Sequence, residues 1–328
     1  MKKKSFIDLH LHIDGSISVD SARKLAEIEN IVLPESDKEL KTLLTVSKYC
    51  KDLNEYLEKF ELPISLLQSE KSLESCAFNL CKELDESGCA YAELRFAPQK
   101  HLKKGLSQEQ AVNAVLSGIK KSLFNANLIL CCMRDCCDNR KENLETVRLV
   151  KSYLDKGVCA CDLAGAEALF PNKNYADIFL YAKKLEIPFT IHSGEASGAE
   201  SVMQAINMGA SRIGHGVRSI EDKNVVGILA RNKIPLEICP TSNLNTQVFK
   251  SYKEIPIPQF LSEGVIITIN SDNMSVSDTN SLKELEIITK TFNFDKDIEN
   301  QLILNSVDSS FASKTVKENL RTKVLAEI

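Results

Sequence analysis

The 328-residue chain has no tryptophan, 9 prolines, 13 glycines and only 5 histidines. So few prolines and glycines, without a period, exclude a collagen-like or low-complexity chain. No apolar run approaches the roughly 20 residues that span a bilayer, so no membrane partner is expected. Neither sign of charge dominates: 41 Lys+Arg against 45 Asp+Glu leave a net −4. The basic footprint of a nucleic-acid binder is therefore missing, and no nucleic-acid partner is expected. The start, Met1-Lys2-Lys3-Lys4-Ser5-Phe6-Ile7-Asp8, has a basic lead. Asp8 and His10 interrupt the apolar stretch that a secretory signal needs. What is present is core material, since 43% of the residues are hydrophobic.

Cysteine is abundant, at eleven residues. The number is odd, and a chain this long buries a core without staples. A reducing, cytoplasmic setting follows, with most thiols as small core residues. Four of them fall in seven residues, at 131, 132, 136 and 137. Cys131 and Cys132 lie in a predicted strand and face opposite sides, which favours packing over an accessory metal or redox site.

Short apolar runs predict strands over 5–11, 90–96, 128–133, 158–163, 188–192, 212–214, 235–238 and 265–270. Helical patterns fill 20–30, 107–124, 141–155, 175–185, 198–208, 220–232, 281–292 and 298–311. Strands alternating with helices imply a parallel sheet, and eight such units suit a (β/α)8 TIM barrel. A doubly wound sheet would carry a glycine-rich loop after its first strand. Asp14-Gly15-Ser16 offers a single glycine. Residues 36–87 form extra helices between strands 1 and 2. A helix over 49–61, with Tyr56, Leu57, Phe60 and Leu62 near helical spacing, is either a packing face or a lid over the barrel mouth. No linker or repeat appears, so 1–328 reads as one domain.

Active sites of such barrels gather at the C-terminal ends of the strands. The first strand ends in His10, His12 and Asp14, which alternation puts on one face. The fifth ends in His192 and Glu195, the sixth in His215, the eighth in Asp272 and Asn273. His-x-His alone is a weak sign of metal, but four histidines and an aspartate at one rim are ligands that zinc prefers. His101, beside Lys100, Lys103 and Lys104, reads as solvated loop.

The chain also resembles the adenosine deaminase family. The resemblance rests on FIDLHLHIDGS over 6–16, YAELRFAP over 91–98, DLAGAE over 162–167 and HSGE over 192–195. RIGHG over 212–216, LEICPTSN over 236–243 and NSDN over 270–273 complete the ordered set. It implies hydrolytic deamination at C6 of a purine, in a barrel of the same kind. It implies one zinc ion per subunit, on His10, His12, His192 and Asp272. Glu195 then matches the proton donor to N1, and His215 the base and electrostatic helper beside the attacking water. His12, Asp14, Gly165 and Asn273 match substrate-binding positions. Asp14 faces the ribose, and Gly165 offers its N–H to N3. Read without the resemblance, Gly165 is a turn residue and Asp14 a hydrogen-bonded loop carboxylate.

Two positions depart from the family pattern. Asn273 stands where a second Asp usually faces purine N7, and an amide donates to that acceptor at every pH. Ala166 stands where an acid is common. Related adenine deaminases tend to have Glu at the place of Asp14, which favours a nucleoside substrate. Adenine, AMP and N6-substituted adenine compounds are the alternatives, with a silent binding barrel further behind. The sequence leaves the oligomeric state open.

Overall fold

The computed structural model describes residues 5–47, 50–135 and 138–327. Strands form where the apolar runs lie: β1 (Phe6–His12), β2 (Cys89–Phe96), β3 (Ala126–Met133), β4 (Val158–Ala164), β5 (Thr190–Ser193), β6 (Arg212–His215), β7 (Leu236–Ile238) and β8 (Ile267–Ile269). They pair in sequence order, all parallel, as two four-stranded arcs. Single bridges join the arcs. Cys161 meets Phe189 between β4 and β5, and Leu11 meets Asp272 between the end of β8 and β1. The sheet thus closes into the expected (β/α)8 barrel.

The crossover helices start where local chemistry caps them. Ser107 and Gln110 form a capping box ahead of Gln108–Ser122, and Asn280 caps Ser281–Phe292. These caps satisfy amides that the first turn leaves free. The helix Lys314–Leu325 has no counterpart among the predicted elements. It buries only Leu320 and Val324, so its apolar period is thin.

The insert between β1 and β2 holds Asp37–Leu44, Leu53–Leu57, Glu61–Ser65 and Glu70–Ser87. The single helix expected over 49–61 is instead broken. Asp52 caps a start at Leu53, and a tight turn over Glu58–Phe60 interrupts the run before Glu61. Tyr49 lies outside the described residues. Leu53, Tyr56, Leu57, Phe60 and Ile64 line the barrel's mouth, and the first four also pack in an apolar cluster with Val276, so the segment is a packing face set beside the mouth.

His101 corrects another expectation. It is fully buried, not solvated. Its Nδ1–H donates to the Leu67 carbonyl at 2.9 Å, and its ring sits 5.6 Å from that of Phe96. Burial pushes its pKa down to about 4, so it is neutral. Lys103 and Lys104 do face outward, Lys104 pairing with Glu29, while Lys100 borders the mouth and pairs with Asp135.

The nine described cysteines are free and buried. Cys131 borders the mouth, while Cys132 lies 3.7 Å from Cys161 on the other side of the strand. Cys136 and Cys137 lie outside the described residues. Among the described residues, no helix is long and apolar enough to cross a membrane.

Candidate active site

β1 brings His10 and His12 to the rim, and the backbone then locks Asp272 beside them. The His12 N–H donates to the Asp272 carbonyl, and the Asp272 N–H to the His10 carbonyl, both at 2.8 Å. Asp272 holds φ 61°, and His215 φ 57°. Left-handed backbone is uncommon outside glycine and concentrates at functional sites. His192 arrives on β5 and His215 on β6.

Four side-chain atoms converge. His10 Nε2 lies 3.0 Å and His12 Nε2 3.2 Å from His192 Nε2. Each also lies 3.5 Å from Asp272 Oδ1. Ligands about 2.0–2.2 Å from one tetrahedral zinc stand roughly 3.3–3.6 Å apart. The spacing therefore fits one small cation. The outer nitrogens support that fit. His10 Nδ1–H donates to Glu237 at 2.7 Å, and His192 Nδ1–H to Asp162 at 3.0 Å. A carboxylate on Nδ1 leaves the Nε2 lone pair free for a metal.

Those carboxylates belong to a charged layer inside the barrel. Arg95 on β2 reaches Asp162 on β4 at 2.9 Å and Glu237 on β7 at 3.0 Å. Arg212 joins Glu237 and Glu93 at 2.6 Å each. All five are 0–1% exposed. Burial alone would raise the Glu237 pKa, but Arg95 and Arg212 outweigh it and hold the group well below the usual range. Asp272 follows the same logic: burial raises it, and the hydrogen bond and charge of His10 pull it far down. Buried charges survive here because each has a partner.

The mouth is a cavity of about 440 Å³, a size suited to a small organic ligand. Glu195 borders it, 4% exposed, with Oε2 3.6 Å from His215 Nε2. Burial, then the charges of Asp272 and Glu167, push the Glu195 pKa well above the ordinary value. Burial lowers His215 well below its own, so it is neutral. Glu167 fixes the loop that carries Glu195. It accepts from the N–H groups of Gly194, Glu195, Ala196 and Ser197 at 2.8–3.1 Å. Asp14 also borders the cavity, and its Oδ1 is buried without a partner. Burial raises its pKa to about 6. Gly165 borders it at φ 106°, a conformation that side chains resist.

The adenosine deaminase family model matches residues 6–327. The chain belongs to the adenosine deaminase family. It is 46% identical to an adenosine deaminase of Haemophilus ducreyi over 96% of this chain and 94% of that one. It is 41% identical to an adenosine deaminase of Clostridium botulinum over 98% of both. Among solved structures, an adenine deaminase of Arthrobacter aurescens superposes with a TM-score of 0.89 at 26% identity, over 99% of each chain. As an adenosine deaminase family member the chain is a hydrolytic, metal-dependent deaminase.

Several residues of this family member's site went unassigned from sequence. Glu237, Asp162, Arg95 and Glu167 lie inside the quoted motifs, yet their roles did not show. Glu167 lies in the loop after β4. For the other three the available signal was a charge inside an otherwise apolar strand, which costs too much to bury without a purpose. Asn243 is another, its side-chain amide lying 3.1 Å from His215 Nδ1.

Proposed function

We propose that this chain hydrolyses adenosine, and 2′-deoxyadenosine, to the 6-oxo nucleoside and ammonia. The reading takes 1–328 as one metal-dependent deaminase domain with one zinc ion per subunit. His10, His12, His192 and Asp272 would hold the ion. When bound, zinc supplies activation of water near neutral pH. Free buried thiols suit a cytoplasmic setting.

The side chains do the rest. Purine C6 resists attack until N1 gains a proton. Glu195, kept protonated by burial, gives N1 that proton as a water oxygen bonds to C6. Asp272 would orient that water, whose released proton passes to His215. The departing amino group takes it, and the C6–N bond breaks. The remaining hydroxyl proton returns to Glu195 as the C6 carbonyl forms, so protons and electrons balance. His12 and Gly165 flank the substrate, with the Gly165 N–H directed to N3, and Asn273 contacts N7.

One observation favours a nucleoside over the free base. Asp14 Oδ1 is a buried acceptor with nothing to accept from, and a ribose hydroxyl would satisfy it. The likeness to an adenine deaminase makes adenine the second reading. An absorbance assay on adenosine, 2′-deoxyadenosine, adenine, AMP and N6-methyladenosine, with and without chelator, decides between them. Adenosine is expected to react fastest and chelator to stop it. Ammonia from adenine but not adenosine would reverse the order.

A further inference from the structure

We infer that Tyr56, on the insert, is a positioning residue that turns the Asn273 amide so that its N–H points at purine N7. The inference rests on the adenosine reading above. Asn273 Nδ2 donates to the Tyr56 hydroxyl at 3.0 Å. That hydroxyl lies 2.7 Å from Ser277 Oγ. An amide nitrogen only donates, so the phenol oxygen accepts from Asn273, and Ser277 is the hydroxyl's second partner. Both Tyr56 and Asn273 line the cavity and are 2% exposed.

The other end of the amide is set by Gly15. A Cβ at residue 15 would lie 1.8 Å from Asn273 Oδ1. The carbonyl oxygen is thus seated against bare backbone, and it has no hydrogen-bond partner there. Nothing polar holds the oxygen end, so the hydroxyl of Tyr56 supplies the polar preference for this orientation over the reversed one. An amide nitrogen has two protons. One is spent on Tyr56, which leaves one for the cavity. The reversed amide would present an oxygen to N7, two acceptors facing each other.

The insert stays docked without that hydroxyl. The Val46 N–H donates to the Val276 carbonyl at 2.9 Å, and Thr45 Oγ1 to the Ser275 carbonyl at 3.0 Å. Leu53, Tyr56 and Val276 share an apolar cluster. Tyr56→Phe therefore removes one oxygen and keeps the packing.

The test uses the full-length, metal-loaded enzyme with adenosine and with 7-deazaadenosine, which has CH in place of N7. Tyr56→Phe is expected to lower kcat/KM for adenosine about three- to tenfold, the size of one hydrogen bond, while the inhibition constant of 7-deazaadenosine moves less than about twofold. Ser277→Ala, which takes away the second partner of the Tyr56 hydroxyl, should act in the same direction by a smaller factor. Parallel losses on both compounds, or unchanged adenosine kinetics in both variants, overturn the inference. A wild-type enzyme that leaves adenosine untouched overturns the proposed function instead.

Discussion

His10 Nδ1 donates to Glu237 Oε2 at 2.7 Å inside the barrel. The same carboxyl group accepts from Arg95 at 3.0 Å and Arg212 at 2.6 Å. Glu237 therefore ties a metal-facing imidazole to two buried cations. Glu237→Gln keeps the shape but removes the charge. We expect roughly 10–100-fold weaker zinc binding, the usual cost of losing such an outer partner. Competition with a chromophoric chelator measures it, with circular dichroism to show that the barrel persists. Wild-type affinity in a folded variant would mean that His10 needs no carboxylate.

Glu195→Gln separates metal from proton transfer. The amide keeps the volume and cannot give up a proton in turn, so zinc content should stay stoichiometric. Turnover should fall about 10²–10⁴-fold. The pH dependence has a definite sign. The acid acts while protonated, and its pKa lies well above the ordinary value because of burial, Asp272 and Glu167. Wild-type kcat/KM should therefore hold below that raised pKa and fall as pH rises through it. In the Gln variant this limb should vanish from the residual activity. Near-wild-type deamination by Glu195→Gln would remove the assignment.

The sequence carried the barrel and its rim because both are periodic. Apolar runs with a polar end mark each strand, and alternation puts His10 and His12 on one face. Pairings across the lumen have no such trace. Arg95 meets Glu237 only because β2 and β7 face each other, 142 residues apart. His101 misled for a related reason: three lysines surround it in sequence, yet Leu67 turns it inward. The broken insert helix is a third case, since Tyr56 gains its role only by folding back onto the loop after β8.

A phosphate would be disfavoured, since the cations that line the cavity are already engaged. Among the described residues that line it, these are Lys100 and Arg134, leaving the histidines aside. Arg134 is buried and donates to Phe170, Asn172 and His192. Lys100 Nζ is paired with Asp135 at 2.7 Å. In the proposed pose the sugar runs from Gly165 after β4 to Asp14 after β1. It therefore passes the loops of β2 and β3 that carry this pair. Wild type should prefer adenosine to AMP. Asp135→Asn, which frees Lys100, should improve kcat/KM for AMP by about threefold or more relative to adenosine, the lower end for a charge-assisted hydrogen bond. Parallel steady-state assays on the two substrates check it, and an unchanged ratio would place the pair outside the phosphate's reach.

Gly15 gives the last prediction. Its Cα faces the Asn273 carboxamide so closely that a methyl group would stand 1.8 Å from Oδ1 and 2.5 Å from Cγ. The obstacle is no flexible chain end. Asn273 follows Asp272 directly, and its Nδ2 is held by Tyr56. Gly15→Ala must therefore push the loop after β8, which carries Asp272, or the turn that directly follows His12 at the end of β1. Overpacking of this kind costs about 1–3 kcal/mol. Adenosine turnover should drop together with the melting temperature. The discrimination between adenosine and 7-deazaadenosine should shrink as well, because the displaced amide loses its line to N7. Gly105 makes the control, since a Cβ there would meet nothing within 4 Å, although its φ of 91° strains any side chain. Gly105→Ala should lower stability through the backbone alone and leave that discrimination intact. If both alanines reduce stability but neither alters the discrimination, Gly15 serves the turn and not the amide.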